Sequence, residues 1–235
     1  MSKLTVLMYH HISADKSEGL TISLECIEQQ LAHLASRGYK THHLKDLYNR
    51  KKLKSKKNVV ITFDDVYVSQ LELAYPLLKK YGLKATFFAP LSFIGKKDSW
   101  NTGTLEIMTV AQLRSMDSSI IELGFHSFYH KKYHELTFED IEEDTRLCKK
   151  FVSENSLEMS PVVAYPYGKY PRDKDRKITF FKQLQKHGFV YGLRIGNRVN
   201  KFPFKNPFEI QRIDVKGNYS LRTFKRKLRF GKLFG

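Results

Sequence analysis

The run Val59-Val60-Ile61-Thr62-Phe63 is β-branched and aromatic throughout, and it ends on two adjacent carboxylates, Asp64 and Asp65. Such a run specifies a buried strand. Ending it on two acids is costly, because neighbouring negative charges lose water and repel each other. A metal ion or a shared proton relieves that cost. A second apolar run, Ile120-Ile121-Glu122-Leu123, leads into Gly124-Phe125-His126-Ser127-Phe128-Tyr129-His130, with two imidazoles four residues apart. An H-x-x-x-H pair and a carboxylate make three ligands for a divalent metal and leave a fourth position for water, the mark of a catalytic site. The pattern predicts a metal-dependent hydrolase.

Strands and helices take turns along the chain. Leu4 to Tyr9 reads as a strand, and Ser23 can cap a helix with apolar face Leu24, Ile27, Leu31 and Leu34, stopped by Gly38. Tyr39 to His42 reads as a short strand and Leu44 to Arg50 as a short helix. A helix around Leu71 to Tyr81 contains Pro76, so it starts late or kinks there. Lys84 to Phe88 is the next strand. Thr109 with Gln112, and Thr137 with Asp140, have the spacing of capping boxes. A strand at Val162 to Ala164, a helix from Lys174 to His187 and a strand at Phe189 to Tyr191 continue the alternation, and a loop is expected from Asn197 to Pro207. The order predicts one α/β domain over residues 1–235, most simply a parallel barrel. Chemistry in such barrels collects at the C-terminal ends of strands, where His10, His11, Asp64, Asp65, His126, His130 and Tyr165-Pro166-Tyr167-Gly168 all fall.

At 41% hydrophobic residues the chain can build a core. Cys26 and Cys148 are expected to be free thiols, and nothing points to an oxidising compartment. The N-terminal apolar run is too short for a signal peptide and no stretch is long enough to span a membrane, so a cytoplasmic protein is expected. The net charge of +17 is concentrated in Arg50 to Lys57 and in a C-terminal segment, 219–235. On a helix, Leu221, Phe224 and Leu228 would share one side, with Arg222, Lys225, Arg226 and Arg229 on the other. That helix either packs on the domain with a solvated basic face or meets an acidic glycan or anionic lipid, the latter at the inner membrane face. No nucleic-acid motif accompanies the charge, and none is expected as a partner.

Thr62-Phe63-Asp64-Asp65, Lys84-Ala85-Thr86-Phe87-Phe88, His126-Ser127-Phe128-Tyr129-His130 and Tyr165-Pro166-Tyr167-Gly168 resemble, in order, the motifs of the polysaccharide deacetylases, the NodB-homology domain or carbohydrate esterase family 4. Met8-Tyr9-His10-His11-Ile12 is similar to the branch containing poly-N-acetylglucosamine deacetylases. The resemblance implies a distorted (β/α)7 barrel that removes acetyl groups from sugars, most simply the N-acetyl of an N-acetylhexosamine. It makes Asp64 the catalytic base and Asp65, His126 and His130 the metal ligands. Zinc suits that donor set, with cobalt or nickel as alternatives. The Tyr167 backbone N–H is a candidate oxyanion donor, and Tyr165, Pro166 and Tyr167 are candidates for the wall of a sugar groove. The expected partner is an acetylated sugar or oligosaccharide, with a lipid-linked intermediate preferred.

The leaving amine needs an acid. His10 is the candidate, with support of the metal site as its alternative role; His11 should point elsewhere by strand alternation. His187 reads as a helix C-cap, and His134 lies within reach of a ligand swap with His130. Two positions depart from the family pattern. Val66 stands where glycine is usual and suggests a reshaped turn, and Ala164 stands where an arginine often orients the base. A glycan-binding relative without activity is the alternative function.

Overall fold

The computed structural model describes residues 1–232. Its elements in chain order are β1 (Ser2–Tyr9), β2 (Ile12–Ser13), β3 (Ile22–Ser23), α1 (Leu24–Ser36), β4 (Lys40–Thr41), β5 (Asn58–Asp64), α2 (Tyr75–Lys80), β6 (Ala85–Ala89) and α3 (Val110–Ser115). There follow β7 (Ile121–Phe125), α4 (Phe138–Glu154), β8 (Val162–Ala164), α5 (Lys174–Lys186), β9 (Tyr191–Ile195), β10 (Asn200–Phe202), β11 (Ile210–Asp214) and α6 (Leu221–Phe230).

Seven parallel strands close a barrel in the order β1, β5, β6, β7, β8, β9, β11, and β11 pairs back onto β1. Side chains alternate between two cores, as the period of a strand requires. Val59, Ile61 and Phe63 pack outward beneath the helices with Leu7, Tyr9, Phe87 and Val163. Val60 packs inward with Leu4, Val6, Phe88, Val162 and Leu193. Thr62 and Asp64 share the inward parity of Val60, which aims Asp64 into the top of the barrel. Gly124 serves this interior: a Cβ there would lie 2.7 Å from the Phe88 ring and 2.9 Å from Val162.

The seven-strand barrel matches the expectation, but its membership differs. The strand at Tyr39 to His42 shrinks to β4, which pairs beside the lower part of β5 outside the ring. The seventh stave is β11, which the sequence reading passed over. Its charged Arg212 and Asp214 interrupt the apolar run that marked the other strands. The segment expected to be loop also holds β10, which pairs antiparallel with β1.

Local signals held up. The Ser23 hydroxyl accepts from the Cys26 N–H, and both capping boxes are formed. Pro76 lies in the first turn of α2, preceded by a π-helical turn at Gln70–Ala74 that tolerates its missing N–H. Cys26 and Cys148 are free thiols. Of the two placements expected for the C-terminal helix, the structure shows the one packed on the domain. Phe224 and Leu228 in α6 are buried, Phe224 packs edge-on against His33 of α1, and the Thr5 hydroxyl donates to the Leu228 carbonyl. The apolar face of α6 is therefore docked on the barrel and cannot face a membrane. Residues 233–235 of the basic segment lie outside the described residues. No helix among the described residues is long and apolar enough to cross a membrane.

Candidate active site

β1, β5 and β7 deliver the chemistry to one end of the barrel. Asp64 is the last residue of β5, Asp65 follows it, and His126 follows β7. The ligand atoms of Asp65, His126 and His130 all lie within 4.8 Å of one another, and all three residues are buried. His130 Nε2 is 3.3 Å and His126 Nε2 3.6 Å from Asp65 Oδ1. That oxygen has no hydrogen-bond partner despite its burial. A buried carboxylate oxygen left unpaired between two imidazoles fits a cation better than it fits the protein alone. The triad could thus hold a divalent metal.

The surroundings aim these side chains. His126 Nδ1 lies 2.8 Å from the Ala164 carbonyl, which fixes the proton there and leaves Nε2 free to coordinate. The His130 ring is held between Trp100, at 4.5 Å between centroids, and Tyr167, at 4.9 Å. The loop between the histidines carries Ser127 and His130 at positive φ, 62° and 55°. Asp144 of α4 fastens that loop, accepting from the Phe128 and Tyr129 N–H groups. Burial resists ionisation of Asp65, but His130, then His126 and His10, outweigh it and lower its pKa. Burial brings the His126 pKa down to about 4, against the pull of Asp64.

Asp64 is separate from the triad in its bonding. Arg212 Nη1 donates to Oδ1 at 2.5 Å and Nη2 to Oδ2 at 2.8 Å. Both residues are buried, and Thr62, on the same strand face, also meets Arg212 at 3.4 Å. Burial raises the Asp64 pKa, but the Arg212 charge, followed by His126 and His10, prevails and lowers it. Its Oδ2 lies 3.8 Å from His126 Nε2, so this ionised, arginine-held carboxylate borders the triad and is suited to accept a proton there. The arginine that the sequence lacks at Ala164 is supplied from β11.

His10 Nε2 is 3.8 Å from Asp64 Oδ2, and its own Nδ1 is unpartnered. His10, Asp64, Asp65, His126, His130 and Tyr167 all line one cavity of about 320 Å³. His11 lines it too, contrary to the alternation argument, because β1 ends at Tyr9 and strand geometry no longer governs position 11. Tyr165 does not line it: its side chain is fully buried and its hydroxyl donates to the Phe208 carbonyl. Ala164 belongs to the inner core, so Tyr165, one residue on, faces the helices. Pro166 is buried in the turn, while Tyr167, at φ 57°, is exposed beside the triad. His134 pairs with Glu135 and is not among the triad, and His187 caps α5 with Nε2 2.8 Å from Glu142. The turn at Val66 keeps a glycine-like φ of 47° with the valine buried.

Sequence reasoning missed Arg212, Trp100, Asp144 and Asp98. Asp98 is buried and accepts from the Leu105 N–H and the Asn101 side chain, which steadies the loop that carries Trp100. None of these residues sits in a recognisable spacing with the residues it serves.

A barrel with a carboxylate–imidazole triad beside an arginine-held aspartate defines a class of metal-assisted hydrolase, and sequence comparison agrees. Residues 51–191 match the family described as polysaccharide deacetylase. The chain belongs to that family. It is 31% identical over 195 residues to YxkH of Bacillus subtilis (strain 168), named as a polysaccharide deacetylase, covering 82% of this chain and 64% of that protein. The chain thus spans less than two thirds of that relative. It is 27% identical over 234 residues to a poly-beta-1,6-N-acetyl-D-glucosamine N-deacetylase of Staphylococcus aureus, covering 95% of this chain and 77% of that one. Among solved structures, the Streptococcus pyogenes deacetylase PplD in complex with acetate superimposes with TM-score 0.79 at 21% identity over 96% of this chain and 98% of that chain. IcaB from Ammonifex degensii does so with TM-score 0.78 at 22% identity over 97% of each chain. Both show the same fold.

Proposed function

We propose that this protein removes the N-acetyl group from an N-acetylhexosamine unit of a glycan, with zinc held by Asp65, His126 and His130. The observation that carries this reading is the pairing of that triad with a second, separately held carboxylate, Asp64, in one cavity. A bound divalent ion would supply Lewis-acid polarisation of the acetyl carbonyl and acidify water. Asp64, kept ionised by Arg212, takes the proton of the attacking water. The Tyr167 backbone N–H donates to the developing oxyanion. His10, on the opposite side of Asp64 from the family's ligand pair in sequence and 3.8 Å from its carboxylate, gives a proton to the departing amine. Leu20, Tyr67 and Trp100 add apolar wall to the cavity, suited to the faces of a sugar ring. The named relative from Staphylococcus aureus supports poly-N-acetylglucosamine as the substrate class; a lipid-linked oligosaccharide is a second form of the same chemistry.

Purified protein loaded with zinc should release acetate, read by mass spectrometry, from one or more of free, polymeric, nucleotide-linked or lipid-linked N-acetylhexosamines. Absence of acetate from every one of them, with zinc, cobalt and nickel each tried, overturns the reading.

A further inference from the structure

The two basic stretches that stand apart in the sequence meet in the fold. Lys56 and Lys57 precede β5, Lys3 opens β1, and Arg37 follows α1. With Lys225, Arg226 and Arg229 of α6 they line one groove of about 680 Å³, and no carboxylate lines it. These seven side chains make no salt bridge among the described residues. All belong to exposed residues. The groove lies at the N-terminal ends of β1 and β5, the opposite end of the barrel from the catalytic cavity.

Two further features show that the positive charge there lacks compensation. Lys3 of β1 stands directly opposite Lys201 of β10, and like charges in register across antiparallel strands are destabilising. Burial first, and then the charges of Lys225, Arg37 and Lys57, hold the His33 imidazole below its ordinary pKa. An anionic partner would offset the like-charge repulsion in both.

The rim of the groove says which partner. Phe230 lines it, is 49% exposed, and has the Arg229 guanidinium 5.0 Å from its ring centroid. A large apolar side chain beside a dense row of cations suits a bilayer interface, where cations meet headgroups and the ring enters the acyl boundary. A polyphosphate chain would leave that ring in water. Single-stranded nucleic acid would call for several exposed stacking rings, and the other two rings in the groove, His33 and Tyr39, are half-buried.

We propose that this basic face is a docking surface for the anionic lipid headgroups of a bilayer, with Phe230 inserted among them. Docked this way, the barrel turns its catalytic mouth away from the membrane. The enzyme would then meet a polymer or oligosaccharide approaching from solution, not a glycan anchored close to the same bilayer. The docking is independent of the deacetylase reading and can fail without it.

The test is sedimentation of the full chain with vesicles of phosphatidylcholine, with and without phosphatidylglycerol. Binding should require phosphatidylglycerol and fall steeply as salt is raised. The combined variant Lys225→Ala, Arg226→Ala, Arg229→Ala should bind about a hundredfold more weakly, at an unchanged melting temperature, since the buried face of α6 is untouched. A charge-matched control, Lys149→Ala, Lys150→Ala, Lys182→Ala, should bind like the parent. Equal losses in both variants would mean that net charge alone drives binding, and would overturn the docking surface. Phe230→Ser should weaken vesicle binding several-fold while leaving binding to soluble polyphosphate unchanged. Unaltered vesicle binding in that variant, or tighter binding to polyphosphate or single-stranded DNA than to vesicles, overturns the lipid assignment.

Discussion

Arg212 grips both oxygens of Asp64 from 148 residues further along the chain, at 2.5 Å and 2.8 Å, in the buried interior of the barrel. Where the sequence has Ala164 in place of an arginine, the guanidinium comes from a different strand and reaches the same carboxylate. Such a two-point grip fixes the orientation of Asp64 as well as its charge, which an ammonium could not do.

Arg212→Lys should therefore keep a positive charge near Asp64 but lose the orientation, and turnover should fall by about a hundredfold with metal content intact. Arg212→Met should cost more: removing one partner of a buried ion pair destabilises by about 3–5 kcal/mol. Thermal unfolding together with metal analysis separates the two effects. A lysine variant with parental turnover would show that charge suffices.

Asp64→Asn should keep the metal and lose most activity, because it removes a proton acceptor that binds no metal in the proposed scheme. Asp65→Asn and His126→Ala should weaken metal binding itself, since both residues belong to the triad. Metal analysis of the three purified variants checks the division, and equal metal loss in all three would refute it.

His10 lies 3.8 Å from Asp64 and lines the cavity, so its role can be separated from metal support by changing the leaving group. His10→Ala should lower turnover by about two to four orders of magnitude on an amide, the usual range for general acid–base catalysis. An activated ester, whose leaving group needs no proton, should be spared most of that loss. Parallel losses on both substrates would assign His10 to the metal site instead.

What the sequence made legible was local. Ser23, Thr109 with Gln112, and Thr137 with Asp140 announce helix starts within four residues, and each cap forms as the spacing requires. The strand ends bearing Asp64, Asp65 and His126 were legible because apolar runs lead into them. Arg212 was not, because its meaning depends on barrel closure, which brings β11 beside β1 and aims position 212 across the interior at Asp64. Tyr165 was misplaced for a related reason: motif membership suggested exposure, whereas strand parity turned the ring into the layer beneath the helices. Val66 shows the limit of a residue-type argument. A β-branched residue sits at φ 47° because its side chain is buried in the outer core, and that packing offsets a backbone strain of about 1–2 kcal/mol.

Asp144 links helix α4 to the loop between His126 and His130 and makes a prediction in pH. Burial raises its pKa to about 6, against the Phe128 and Tyr129 N–H groups that it accepts from. In the unfolded chain an aspartate ionises near 3.9. Between those two values the folded protein holds a proton that the unfolded chain has released, so this group's contribution to stability falls as pH rises through the window and is constant above it. The change is on the order of 3 kcal/mol. Asp144→Asn cannot titrate, and its side-chain oxygen can still accept from the loop. The variant's stability relative to the parent should therefore rise between about pH 4 and pH 6.5. Urea midpoints of both proteins across that range, in metal-free buffer, measure the difference. A constant gap would mean that Asp144 titrates alike in the folded and unfolded chain, and that the N–H groups of the loop fully compensate its burial.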